Sequence, residues 1–179
     1  TQEQFQGILN NIQFTSLLSD CKGDLIIEAI IEQKEAKINL FNQLITVNSP
    51  DTILASNTSS ISIDAIASGI PVPGQLVGLH FFNPAPVMKL VEIIQGKETH
   101  PAIITTMVNL VQSMQKKPVI CKDSPGFIVN RVARPYYLES MYLVQSGQAQ
   151  FDQADKVLEA AGFKMGPFRL MDLIGLDIN

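Results

Sequence analysis

Up to about residue 122 the chain alternates short apolar runs with longer amphipathic ones, and no other feature restricts its fold as much. The run from Asp24 to Ile30 has the length and composition of a buried strand. Residues 33–47 then place Ile38, Phe41, Leu44 and Ile45 on one helical face, with Glu and Lys elsewhere. Further strands are expected at Thr52–Ser56, Leu76–Phe82, Leu90–Ile94 and Pro118–Cys121. Between them, Ser62 is placed to cap a short helix over Ile63–Ala67, and Pro101 to open a helix reaching about Gln115. Strands alternating with helices predict a parallel sheet covered on both faces. After Asp123-Ser124-Pro125-Gly126 the pattern changes. Residues 127–145 read as one helix kinked at Pro135, Phe151–Ala161 as a second stopping at Gly162, and a further apolar run begins at Phe168. The expected organisation is an α/β part over residues 1–122 and an all-α part over residues 123–179.

Composition narrows the function classes. Hydrophobic residues make up 46% and charged residues 17%, which excludes a solvating or disordered chain. Thirteen basic against seventeen acidic residues give a net charge of −4, so no broad cationic field exists to hold a nucleic acid. Lys116-Lys117 is the densest basic spot and reads as a solvated helix end. No apolar run approaches the length of a membrane-spanning helix, so no membrane partner is expected. Two histidines and two distant cysteines offer no ordinary zinc set, so no metal is expected. The same two cysteines suit a reducing compartment, and hence a cytoplasmic location.

Few residues remain to carry chemistry. His80 falls at the carboxyl end of an expected strand, the edge where open α/β sheets bind ligands, and an imidazole there suits a general base. The alternative is a buried histidine bonded to a backbone carbonyl. Glu92 interrupts the apolar run Leu90–Ile94, and a carboxylate buried there needs a partner. Pairing with His80 would fix the imidazole tautomer and stabilise its charged form. An edge strand turning Glu92 to water is the other possibility, and Glu28 has the same ambiguity. Ser56-Asn57-Thr58-Ser59-Ser60 is either a turn and cap or a set of groups for a cofactor or substrate oxygen. Asn130, near the start of the long helix, is a weaker candidate, and Arg131 and Arg134 read as surface or interdomain residues. No G-x-G-x-x-G, no phosphate-binding loop ending in G-K-[ST] and no G-x-S-x-G elbow occurs in the chain.

The strings Ala55-Ser56-Asn57-Thr58-Ser59-Ser60, Gly78-Leu79-His80-Phe81-Phe82-Asn83-Pro84, Met88-Lys89-Leu90-Val91-Glu92 and Asp123-Ser124-Pro125-Gly126-Phe127-Ile128-Val129-Asn130-Arg131 resemble, in order, the 3-hydroxyacyl-CoA dehydrogenases. The likeness is greatest to the short-chain 3-hydroxybutyryl-CoA type. It implies the C-terminal part of a Rossmann-like NAD-binding domain, followed by the start of a helical domain that builds a homodimer. It further implies NAD as cofactor and an acyl-CoA substrate of fatty-acid or butanoate metabolism. His80 would be the catalytic base, Glu92 its orienting carboxylate, Ser59 a residue near both nicotinamide and substrate, and Asn130 a substrate-positioning residue. Glu32, Lys37, Ser59 and Asn83 fall where the family contacts NAD.

The chain lacks the family's glycine-rich turn and ribose-binding acid, opens without Met and stops within the apolar stretch Leu173–Asn179. It is therefore expected to be a piece of a longer protein that by itself binds NAD poorly. The competing expectation is a truncated, non-catalytic binding or dimerisation module of the same fold.

Overall fold

The structure is a computed structural model describing residues 2–175; Thr1 and residues 176–179, the end of the apolar stretch that begins at Leu173, lie outside the described residues. The chain divides into two compact units, Thr1–Phe127 and Ile128–Asn179.

The first unit is built on a five-stranded sheet in the order β1-β2-β3-β4-β5. The strands are β1 (Leu25–Glu28), β2 (Ile53–Ser56), β3 (Leu76–Phe81), β4 (Leu90–Gln95) and β5 (Lys117–Lys122). The helices are α1 (Gln2–Leu9), α2 (Lys34–Ile45), α3 (Ile63–Ala67) and α4 (Pro101–Ser113). All five expected strands form. Ser62 caps α3 by accepting the Ala65 amide at 3.1 Å, and Pro101 opens α4. The sequence reading had no counterpart for α1, whose Phe5 and Ile8 are exposed.

The sheet is not all parallel. β1, β2 and β3 run parallel, as do β4 and β5, but β3 and β4 are antiparallel. The cause is the connection. Residues 82–89 hold the turn bonds Val87 N→Pro84 O (2.9 Å) and Met88 N→Pro84 O (3.0 Å) and no helix. A parallel return needs a crossover of a dozen or more residues, so this short link turns the strand back beside its predecessor.

Period-two alternation sorts the sheet residues between two cores. Leu54, Leu76 and Ile94 pack with Phe41 and Leu44 of α2 and Ile63 and Ile66 of α3. Val77, Leu79, Val91 and Ile93 pack with Ile103, Met107 and Val111 of α4. Each fully buried aliphatic side chain contributes about 1.5–3 kcal/mol. Lys37 departs from the expected helix pattern. It lies on the inner face of α2 with Phe41 and Leu44, and its side chain is 1% exposed. Lys116 is likewise no solvated helix end: its Nζ donates to the carbonyls of Ala85 at 2.5 Å and Met88 at 2.7 Å, strapping the β3–β4 link.

The second unit holds α5 (Val129–Gln145, with Pro135 inside it), α6 (Phe151–Ala160) and α7 (Pro167–Ile174). Gly162, at φ 107°, takes the chain out of α6 in a conformation that favours glycine. Buried Asp155 accepts the Phe168 amide at 2.9 Å, and Glu159 accepts both the Gly166 amide (3.0 Å) and Arg169 Nη1 (2.6 Å), which locks α7 against α6. Among the described residues no helix is long and apolar enough to cross a membrane.

Gly78 of β3 sits opposite Ile94, and a Cβ there would meet Ile94 Cβ at 2.7 Å and Ile63 Cδ1 at 3.0 Å. Gly78→Ala is expected to destabilise the protein by about 1–3 kcal/mol through overpacking, read as a lower midpoint of urea unfolding.

Candidate functional site

The antiparallel register of β3 and β4 sets His80 directly opposite Glu92. Directly opposed residues share a sheet face, and the side chains meet: His80 Nδ1 lies 2.8 Å from Glu92 Oε2. Glu92 is 1% exposed and His80 7%. β4 lies between β3 and β5, so Glu92 does not face water from an edge strand, and the partner of the imidazole is a carboxylate. A carboxylate accepting from Nδ1–H selects the tautomer with its lone pair on Nε2. The Phe82 and Phe127 rings lie 4.5 and 6.0 Å from the imidazole, giving it apolar walls. A general base or acid held by a buried carboxylate is the chemistry this pair can perform.

A second polar group lies at the carboxyl ends of β1 and β2. Glu28, the last residue of β1, is 2% exposed. Its Oε1 accepts from Lys37 Nζ at 2.7 Å and from the Ile30 amide at 2.6 Å, and its Oε2 accepts the Ser56 hydroxyl at 2.6 Å. Lys37 Nζ also lies 3.3 Å from Glu32 Oε2. Glu32 Oε1 gathers donors from the polar cluster after β2: the Thr58 hydroxyl at 2.6 Å, the Ser59 amide at 2.9 Å and the Ser60 amide at 3.1 Å. The cluster is also a turn, because Thr58 Oγ1 accepts the Ile61 amide at 2.8 Å. These bonds agree with the reading of Ser56–Ser60 as a turn. Asn57 ties the group to the histidine strand by accepting the Phe81 amide at 2.8 Å.

Register relates the two groups. Glu28, Ser56 and Gly78 form one row across the parallel strands, and His80 lies two residues further along β3 on the same face. Two residues of strand span about 7 Å. Glu28 and His80 thus share one sheet face near the carboxyl ends of the parallel strands. Asn83 is exposed just beyond β3, and Asn130 is exposed at the start of α5 in the second unit, with Arg131 and Arg134 also exposed.

Glu28 was left ambiguous by sequence and Thr58 and Ser60 had no individual role. The available signal was a carboxylate in an apolar strand together with a lysine at the i−4 position from a core phenylalanine in α2. Asp123 was also unforeseen. Its Oδ2 accepts the Ser62 hydroxyl at 2.7 Å and the Asp64 amide at 2.8 Å, joining the end of β5 to α3. Cys121 is no nucleophile: burial, with the negative charges of Glu92 and Asp123, pushes its thiol up to about 11. Among the described residues no group of three or more His, Cys, Asp or Glu could hold a metal ion.

The arrangement is that of a Rossmann-like domain with a histidine–carboxylate pair near the carboxyl edge of its parallel strands. Residues 1–124 match the family model "3-hydroxyacyl-CoA dehydrogenase, NAD binding domain", and residues 126–179 match "3-hydroxyacyl-CoA dehydrogenase, C-terminal domain". The chain belongs to the 3-hydroxyacyl-CoA dehydrogenase family. It is 49% identical over 169 residues to a 3-hydroxyadipyl-CoA dehydrogenase of Escherichia coli (strain K12), covering 94% of this chain and 36% of that protein. It is 43% identical over 173 residues to a 3-hydroxybutyryl-CoA dehydrogenase of Clostridioides difficile, covering 96% and 62%. The crystal structure of (S)-3-hydroxybutyryl-CoA dehydrogenase PaaH1 from Ralstonia eutropha superposes with a TM-score of 0.94 at 34% identity, covering 99% of this chain and 64% of that one. The chain thus spans between about a third and two thirds of the length of these relatives.

Half-buried Glu32 carries the clearest pH signature. Burial opposes its charge, but the Thr58 hydroxyl, the Ser59 amide and the Lys37 cation outweigh this and lower the carboxyl from its ordinary 4.5 to about 2. A carboxyl depressed on folding stabilises the fold above its unfolded value, and that stability is lost as pH falls from about 4.5 through about 2. Glu32→Gln is expected to flatten the fall in stability across that window, measured as urea midpoints at several pH values.

Proposed function

We propose that the full-length protein carrying this chain oxidises (S)-3-hydroxyacyl-CoA to 3-oxoacyl-CoA, or runs the reverse reaction, with NAD as its redox partner. The observation that carries the reading is the 2.8 Å contact between buried His80 and Glu92. The NAD binding domain match over residues 1–124 supports the cofactor. The chemistry of the polar residues fits it too. Glu32, Ser59 and Asn83 would hold it, since carboxylate, hydroxyl and amide groups suit ribose hydroxyls and a carboxamide, and buried Lys37 would serve the same site through its ion pair with Glu32. When bound, NAD supplies a two-electron hydride acceptor.

His80 Nε2 takes the proton of the 3-hydroxyl as the hydrogen on C3 departs with its electron pair, leaving a carbonyl. Glu92 holds the imidazole in position and balances the positive charge it gains. The phenylalanine rings beside His80 limit water around that charge. Ser59 is the hydroxyl at the meeting of cofactor and substrate. Asn130 positions the substrate, a role supported by the match of Pro125–Arg131 to the family's motif.

The NAD-binding part covers residues 1–122 and the helical part residues 123–179, each belonging to a longer chain. The helical part forms the homodimer, supported by exposed Val132, Leu138, Tyr142 and Val157 on α5 and α6. The relatives' named substrates, 3-hydroxybutyryl-CoA and 3-hydroxyadipyl-CoA, support an acyl-CoA of fatty-acid or butanoate metabolism. The free cysteines Cys21 and Cys121 support a cytoplasmic location.

Full-length protein given acetoacetyl-CoA and NADH should consume the NADH absorbance. A folded protein that leaves it unchanged would instead be a binding or dimerisation module. His80→Gln should lower kcat by a factor on the order of 10²–10⁴ with little change in NADH affinity. Glu92→Gln should also lower kcat with NADH affinity kept, because an amide no longer balances the imidazolium. Equal turnover by wild type and either variant in steady-state assays would overturn the assigned roles.

A further inference from the structure

Lys37 is a cation taken almost wholly out of water, at 1% side-chain exposure. Such an ammonium is stable only with close counter-charge and hydrogen bonds. Glu28, whose side chain is 0% exposed, meets that need at 2.7 Å. Glu28 is itself fixed by the Ile30 amide and the Ser56 hydroxyl, each at 2.6 Å. Lys37 in turn faces Glu32 at 3.3 Å, and Glu32 organises the turn through Thr58, Ser59 and Ser60. The contacts form one chain from the strand ends outward: Ser56, Glu28, Lys37, Glu32, then the Thr58–Ser60 turn. Stability alone does not call for it, because apolar side chains of similar volume between β1 and α2 would avoid desolvating the ions. What the charged chain achieves is position. It fixes the half-exposed Glu32 and the Ser59 turn from a rigid point at the end of β1, and sites anchored on strands hold geometry better than sites on loops alone.

We propose that Glu28 is a positioning residue for the cofactor site, acting through Lys37 on Glu32 and the Thr58–Ser60 turn. The inference rests on the dehydrogenase reading above. The bonds of Glu28 run to the Ile30 amide, Lys37 and Ser56, on the route to Glu32, so its loss acts on cofactor affinity rather than on proton transfer.

NADH dissociation constants, measured by fluorescence titration of the full-length protein, test this. Glu28→Gln should weaken NADH binding by about tenfold or more, while kcat at saturating NADH changes by less than about threefold. Adding Glu28→Gln to Lys37→Met should weaken binding no further than Lys37→Met alone, because the route through Lys37 is already cut. Ser56→Ala, which removes one hydrogen bond and no charge, keeps the test open if Glu28→Gln misfolds, and should weaken binding by about threefold. Glu28→Gln binding within about twofold of wild type, or losses that simply add in the double variant, would overturn the inference while leaving the dehydrogenase reading intact. If Glu28→Gln does not fold, Ser56→Ala binding as tightly as wild type would do the same. Wild-type protein that binds no NADH would sink both.

Discussion

The antiparallel pairing of β3 with β4 is the constraint on which the candidate site depends. A carboxylate 1% exposed between Val91 and Ile93 would be untenable alone, and the register answers it with an imidazole 2.8 Å away. That pairing follows from the short link over residues 82–89: a helical crossover would have carried β4 away in the parallel sense and separated Glu92 from His80. Sheet topology and acid–base geometry are therefore one feature seen at two scales.

The second charged group follows a related logic with a different anchor. Glu28, Ser56 and Gly78 lie in one row on the face that carries His80 one step further along β3. Below that row the face is aliphatic, with Ile26, Leu54 and Leu76 against α2 and α3. The change from apolar to polar comes at the carboxyl ends of the parallel strands, where open α/β sheets hold their ligands. Gly78 has no side chain in the middle of the row, which lets Ile94 and Ile63 close up beneath the polar groups. Packing and polarity are matched within a few ångströms.

Much of this was legible in the residues. The five strands, the capped α3 and the proline-led α4 follow from apolar runs, turn residues and cap chemistry, all local properties. The His80–Glu92 pair was foreseeable because a glutamate in an apolar strand demands a partner and His80 lies twelve residues earlier, on the preceding expected strand. The antiparallel turn was not foreseen, because alternation of strands with helices argues for parallel pairing and only the missing helix between Phe82 and Lys89 argues against it. The helical pattern puts the lysines of α2 off its apolar face, yet Lys37 points inward to Glu28 across nine residues of chain. Lys116 was misplaced because lysine is ordinarily solvated, its carbonyl partners lying about thirty residues away at Ala85 and Met88.

By itself, then, the order of residues determined where strands and helices form and which polar side chains would need company, since propensity, periodicity and desolvation act on neighbours in the chain. Which partner each buried charge obtained was decided only by tertiary structure. Glu28 and Glu92 pose the same problem in sequence; one is answered by a lysine from a packed helix and the other by a histidine across an antiparallel ladder. The difference arises because Coulomb attraction and hydrogen bonding depend on separation in space, and that separation exists only once the strands have chosen their direction.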